Sequence, residues 1–135
     1  MLSEQQSAEK RVPLAKALFN RHPDSVSSAR EWVRQQLART ACTGNVVQVC
    51  ELLVSEVATN CVLHGAGPTY SVAVFPDLSI EIWDVSNELP QPRAADEESL
   101  GGRGLALLAA LAPGYTVCTD VELGGKTVRF TPKGW

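Results

Sequence analysis

Long hydrophobic runs are missing from this 135-residue chain. No stretch approaches the roughly 18 consecutive apolar residues of a transmembrane helix, so we expect no membrane span. The first residues, MLSEQQSAEKR, contain no apolar segment typical of a secretory signal. A basic excess is missing too, since the net charge is -3. Because a phosphate-binding surface usually carries positive charge, direct binding of nucleic acid is not expected.

Cysteine is scarce, and its four residues form no C-x-x-C pair. Cys50 and Cys61 fall inside an apolar helical pattern, where a free cysteine behaves as a small hydrophobic residue. We therefore expect reduced core thiols in a cytoplasmic protein, and neither a zinc site nor a disulfide framework. Hydrophobic residues make up 44% of the chain and charged residues 20%, which is ordinary for one globular domain.

Hydrophobic periodicity predicts eight elements in the order β-α-α-β-β-α-β-β. They are a strand at 12–19, helices at 25–40 and 45–64, strands at 69–75 and 79–85, a helix at about 103–112, and strands at 115–120 and 126–131. This order predicts an α+β fold: a two-layer α/β sandwich with a mixed, mostly antiparallel sheet and three helices on one face. Residues 1–11 are expected to be a flexible N-terminus, and 12–135 a single domain.

The helix at 45–64 has polar residues where apolar ones are expected. On a helical wheel with about 100° per residue, Asn60 and His64 fall within the apolar stripe and Glu56 lies on its edge. Burying such groups without partners costs a few kcal/mol each. We therefore expect the C-terminal half of this helix to face a polar cavity. The alternative is that Asn60 and His64 find backbone partners near the helix end.

The strand SIEIWDV has an aspartate on its apolar face. Ile80, Ile82 and Asp84 share one face, so Asp84 should lie at the edge of the core, where its carboxylate could accept a hydrogen bond from a ligand amine. The opposite face should carry Trp83 away from the helices. An exposed tryptophan there indicates a partner surface, or is simply an isolated apolar side chain.

Two glycine-containing segments complete the pattern. The first, 101–105, reads GGRGL and comes directly before an apolar helix, where free N–H groups of a helix start can bind phosphate. A lone G-G-x-G is weak evidence, and a flexible loop explains it equally well. The second, GGKTV at 124–128, places Thr127 in the last predicted strand.

Taken in this order, the segments resemble the GHKL ATPase superfamily, and more closely its bacterial anti-sigma-factor serine/threonine protein kinases. ELLVSEVATNCVLHG (51–65) resembles the N-box of that branch, a helix with E-x-x-x-N-x-x-x-H. IEIWDV resembles the G1 box, GGRGLALL (101–108) the G2 box, and GGKTVRF (124–130) the closing strand with its threonine. The resemblance covers roughly residues 12–131 and implies a Bergerat-type ATP-binding fold.

The resemblance implies roles for individual residues. Asn60 would ligate Mg²⁺, which bridges the phosphates of ATP, and Glu56 would act as general base on the attacking hydroxyl. Asp84 would accept the adenine amino group, with Thr127 supporting it directly or through water. Residues 86–100 would form the ATP lid. The remaining nucleotide-binding positions that it implies are His64, Ser86, Gly101, Gly102, Arg103, Gly104 and Leu105.

The chain departs from the family pattern in one place. The usual G1 box reads D-x-G-x-G, whereas this chain has Asp84 followed by VSNE, with Ser86 at the first glycine position. The Cβ of Ser86 stands where a close approach to adenine is expected. This departure leaves two functions open: a kinase and anti-sigma regulator, or a module that sequesters a partner with weak or absent catalysis.

The implied partners are a sigma factor and an anti-anti-sigma (STAS-like) protein whose serine or threonine accepts the phosphoryl group. Relatives commonly dimerise through the sheet region, so a homodimer is a further expectation, with Trp83 as a candidate contact. A sensor-histidine-kinase fragment is a poor alternative, because no dimerisation helix with an acceptor histidine precedes the domain. Gyrase-like and chaperone ATPases are larger than 135 residues allow.

Overall fold

The computed structural model describes residues 11–85, 100–120 and 124–133, with the backbone alone for 100–105. Helices and strands within these ranges follow the predicted order. The elements are β1 (Ala15–Asn20), α1 (Ser25–Leu37), α2 (Asn45–His64), β2 (Ala66–Val74), β3 (Ile80–Val85), α3 (Leu100–Leu111), β4 (Thr116–Asp120) and β5 (Gly125–Phe130). The expected N-terminal segment and the expected ATP lid lie mostly outside the described residues.

The strands form one five-stranded sheet in the order β1-β2-β3-β5-β4. Every neighbouring pair in it is antiparallel. β2 and β3 are joined by a tight turn in which Leu78 has a positive φ of 67°, and β5 then pairs with the free edge of β3. This topology puts β3, the strand that carries Asp84, in the middle of the sheet. The α+β fold is confirmed.

α2 is the central helix, because it contacts α1, α3 and both middle strands β2 and β3. It has 20 residues and is long and apolar enough to cross a membrane by length and composition alone. A helix at the centre of a packed core passes the same test, and six of its apolar residues are buried against neighbouring elements. These residues are Cys50, Leu53, Val54, Val57, Ala58 and Cys61.

Two predicted helix boundaries, the end of α1 and the start of α3, differ from the observed ones. The first helix ends at Leu37, three residues before its predicted end, since Thr40 turns back and donates from its hydroxyl to the Leu37 carbonyl. The third helix begins at Leu100, so the glycines at 101, 102 and 104 lie within its first turns. The prediction that this glycine cluster precedes the helix as a turn is therefore wrong.

Trp83 lies on the outward face of the sheet, as predicted, but it is half-buried rather than exposed. Its indole lies over Gly125 on the neighbouring strand: a Cβ added at Gly125 would stand 2.3 Å from the indole nitrogen. An aromatic ring that covers a glycine on an adjacent strand shields that backbone from water. The expectation of a fully exposed Trp83 is therefore wrong, because much of the ring is used within the sheet, whereas its role as a homodimer contact stays a prediction.

We expect Gly125→Ala to destabilise the protein by about 1–3 kcal/mol, because the new methyl group overlaps a rigid indole rather than a flexible chain end. Urea denaturation followed by circular dichroism measures the effect. The double variant Trp83→Leu/Gly125→Ala should lose less than the sum of the two single changes, since the overlap is then absent. Strict additivity would show that the ring and Gly125 do not meet.

Candidate functional site

The C-terminal half of α2 turns two polar side chains toward the interior. Glu56 and Asn60 are one helical turn apart and half-buried, with Oε1 of Glu56 and Oδ1 of Asn60 removed from solvent. Within the described part of the chain, Oδ1 of Asn60 has no hydrogen-bond partner. The inward orientation predicted from helical periodicity is thus observed for both residues.

His64 is exposed, and its predicted inward orientation is wrong. It is the last residue of α2, and the chain leaves the helix at Gly65 to enter β2 directly. A histidine in the last turn lies at the negative end of the helix dipole and needs no burial there.

Asp84 lies at the bottom of the candidate site. It follows Ile80 and Ile82 on the face of β3 that packs against the helices, and only 1% of its surface is exposed. Neither carboxylate oxygen has a hydrogen-bond partner among the described residues. A buried carboxylate without hydrogen bonds costs free energy, so Asp84 has acceptor capacity that a ligand donor could use.

The end of α2 supplies the wall beside Asp84. A Cβ added at Gly65 would stand 3.2 Å from Oδ2 of Asp84 and 2.4 Å from the Cys61 carbonyl oxygen, so the carboxylate lies close against the backbone there. Burial, and then the negative charge of Asp84, raise the pKa of the Cys61 thiol well above its usual value. Contact with the Asp84 carboxylate also raises this pKa, so Cys61 stays a neutral thiol, a weak donor that leaves acceptor capacity on the carboxylate.

The register of β3 and β5 corrects the assignment of Thr127. Asp84 is paired with Lys126, whereas Thr127 is paired with Trp83. Directly paired residues in antiparallel strands project from the same face of the sheet. Thr127 therefore lies on the outward face, and the expectation that it supports Asp84 is wrong.

Lys126 is the residue that the sequence reading missed. Its Nζ is 4.0 Å from Oδ2 of Asp84, and its side chain is only 15% exposed. The sequence contained a usable signal: Val128 and Phe130 have the same parity as Lys126, and both belong to the core on the helix side. Lys126 thus continues an apolar face on β5 just as Asp84 does on β3.

The predicted phosphate-binding positions are only partly placed. The backbone at Gly101, Gly102, Arg103, Gly104 and Leu105 is helical, at the N-terminal end of α3. α3 packs against α2, the helix that carries Glu56 and Asn60. Ser86 lies outside the described residues. The first N–H groups of a helix have no partner within the helix, so the predicted phosphate contact would be made by the first turns of α3 rather than by a glycine turn.

The donor set fits a Mg²⁺ ion held largely by a nucleotide. Among the described residues there is no group of three or more His, Cys, Asp or Glu side chains that could hold a metal ion. Oδ1 of Asn60 is a buried neutral oxygen without a partner in the same part of the chain. Mg²⁺ commonly takes one or two protein oxygens and completes its shell with phosphates and water. Asn60 suits that role.

Comparison with known proteins defines the class of this domain. The sequence pattern of the histidine kinase-like ATPase domain matches residues 19–131, most of the chain, which therefore belongs to that family. This confirms the resemblance to the GHKL ATPases. The match spans both elements of the candidate site, α2 and the β3–β5 pair, and the ATPase family supports ATP as the ligand.

A solved structure has a similar fold. The fold is similar to that of the RsbU and RsbW domains of Rv1364c from Mycobacterium tuberculosis, with a TM-score of 0.59 and 18% identity. The similarity covers 89% of this chain and 32% of the other, so this chain spans about a third of that protein. At this identity the likeness shows the fold. No curated protein sequence matches the chain significantly.

Proposed function

We propose that this protein binds ATP and Mg²⁺ and acts as an anti-sigma regulatory factor with serine/threonine protein kinase activity on an anti-anti-sigma partner. The observation that carries the nucleotide site is Asp84, which is buried to 1% exposure with neither oxygen hydrogen-bonded in the described part of the chain. The exocyclic amine of adenine is a donor of the kind that such a carboxylate needs.

Each remaining residue has one task in this proposal. Asn60 would hold Mg²⁺ through its buried Oδ1, and the ion would supply positive charge beside the phosphates. Glu56, one turn earlier on α2, accepts the proton of the attacking hydroxyl. The first turns of α3, from Leu100 onward, present backbone N–H groups to the phosphates. Phosphoryl transfer needs mainly positioning and charge neutralisation, so this small set is sufficient.

The regulatory part of the proposal rests on the branch that the sequence resembles and on the fold shared with a structure that contains an RsbW domain. In that reading the partners are a sigma factor and a STAS-like anti-anti-sigma protein, and the protein acts in the cytoplasm as a regulator of transcription. Four free cysteines, three of them buried, agree with a reducing compartment.

A second function is favoured by one specific feature, the absence of glycines after Asp84 in the sequence VSNE. In this alternative the protein keeps the fold and sequesters a partner, with weak or absent catalysis. The two functions separate cleanly by experiment, because both need a partner surface but only the kinase transfers phosphate from ATP.

Calorimetric titration of the full chain with ATP and Mg²⁺ tests the nucleotide site, with Asn60→Ala as the variant. Asn60→Ala should bind Mg²⁺-ATP about tenfold or more weakly, because the ion loses its protein ligand. The same variant titrated with ATP in EDTA should match the wild type, since no ion is then present. A wild type that binds no nucleotide at millimolar concentration would remove the proposal.

A further inference from the structure

Lys126 places an ammonium group beside the buried carboxylate of Asp84. It is paired directly with Asp84 across β3 and β5, and both side chains project toward the helices. Its Nζ is 4.0 Å from Oδ2, too long for a hydrogen bond, so the two groups attract each other without satisfying each other. The pair is therefore an acceptor and a donor side by side on one face of the sheet.

Adenine presents the complementary pair on its Watson–Crick edge. The exocyclic N6 amine is a donor, and the adjacent ring nitrogen N1 is an acceptor. Proteins that bind an unpaired base read this edge with side-chain hydrogen bonds. If N6 donates to Asp84, N1 is the next position along the edge, and the Lys126 ammonium, 4.0 Å from Oδ2 of Asp84, is the neighbouring donor.

We propose that Lys126 is a specificity-determining residue for the nucleotide, donating a hydrogen bond from Nζ to N1 of adenine while Asp84 accepts from N6. This inference rests on the proposed ATP-binding function and deepens it. Other neighbours of Asp84 are less suited to this role: Gly65 has no side chain and the Cys61 thiol is a weak donor. Tyr70, paired with Asp84 on β2, has its hydroxyl 2.6 Å from Oγ of Ser25.

The positions of Asp84 and Lys126 also determine which base can bind. Guanine in the same position would bring its O6 acceptor to the Asp84 carboxylate and its N1–H donor to the Lys126 ammonium. Both contacts are repulsive, and a site that leaves two buried polar groups unpaired rejects the wrong ligand strongly. Lys126 therefore contributes to the preference for adenine, and does more than neutralise a buried charge.

The test compares ATP with 1-deaza-ATP, in which a C–H group replaces N1 and the amine at position 6 is kept. Both are titrated by calorimetry, in the presence of Mg²⁺, against the wild type, Lys126→Met and Lys126→Arg. The wild type should bind ATP about tenfold or more tightly than 1-deaza-ATP, the value of a hydrogen bond to a charged donor. Lys126→Met should bind the two nucleotides within about twofold of each other, and Lys126→Arg should keep the discrimination.

A purely structural role would lower the affinity for both nucleotides equally, so the ratio between them is the decisive quantity. Lys16→Met, an exposed lysine on β1, is the matched control and should leave that ratio unchanged. Equal binding of the two nucleotides by the wild type overturns this inference while leaving ATP binding intact. Retained discrimination in Lys126→Met overturns it as well.

The titrations remain informative if one variant does not fold. If Lys126→Met does not fold, as judged by circular dichroism, the wild type and Lys126→Arg still decide between discrimination and equal binding. A wild type that binds neither nucleotide contradicts the proposed function itself, and this inference with it. The two failures are therefore distinguishable in one set of titrations.

Discussion

Asp84→Asn should weaken ATP binding by a factor between about 10 and about 150, the range expected when a hydrogen bond to a charged acceptor is lost. The substitution keeps the shape of the side chain. It removes the negative charge and leaves one acceptor oxygen in place of two. Calorimetry with ATP and Mg²⁺ measures the change directly.

The fold should tolerate this substitution. In the free protein the Asp84 carboxylate is buried without hydrogen bonds from the described residues, so its charge costs stability. The loss of attraction to Lys126, whose side chain retains 15% exposure, acts in the opposite direction. We expect the free energy of unfolding to change by less than about 1 kcal/mol. Weaker ATP binding by this variant would then not result from unfolding.

Glu81→Gln is the matched control for Asp84→Asn. Glu81 lies on the same strand but on the outward face, where it accepts a hydrogen bond from Arg11 at 3.1 Å. A glutamine oxygen can still accept that bond, and the site is on the other side of the sheet. ATP affinity should therefore be unchanged. If Asp84→Asn binds ATP as tightly as this control does, the carboxylate is not the adenine acceptor.

Comparison of the two strands at the site shows what the sequence can and cannot predict. In β3 the apolar residues alternate clearly up to Asp84, so its inward orientation follows from the pattern. In β5 only the two ends are buried, and glycine, lysine and threonine begin the strand. Weak alternation leaves the parity open, and a one-residue error exchanges the two faces. That error accounts for Thr127 being chosen over Lys126.

The helices show the same contrast. Along α2 the 3.6-residue period places Glu56 and Asn60 correctly, because the helix is packed on both sides of them. At His64 the helical period no longer predicts the direction of the side chain, because the helix ends there. The start of α3 was missed because glycine has low helix propensity, and packing of the apolar LALLAAL segment on α2 outweighs that cost. At the start of α3, packing against α2 thus outweighs the low helix propensity of glycine.

Glu56→Gln should abolish most phosphotransfer while leaving nucleotide binding intact, which is the largest effect expected on the kinase activity. A positioned general base contributes about 100- to 10,000-fold to the rate, and glutamine cannot accept the proton. The amide keeps the size of the side chain, so the geometry of α2 should be unchanged. The assay follows transfer of label from γ-labelled ATP to individual STAS-domain proteins, with ATP affinity measured in parallel.

Glu51→Gln supplies the control for this assay. Glu51 lies on the same helix, about 140° around the axis from Glu56. Its negative charge interacts with Arg34 of α1. Transfer by this variant should equal that of the wild type. Equal transfer by Glu56→Gln would remove the base role. A wild type that binds ATP yet labels no acceptor would instead favour the sequestering function, because the pocket around Asp84 would then serve binding alone.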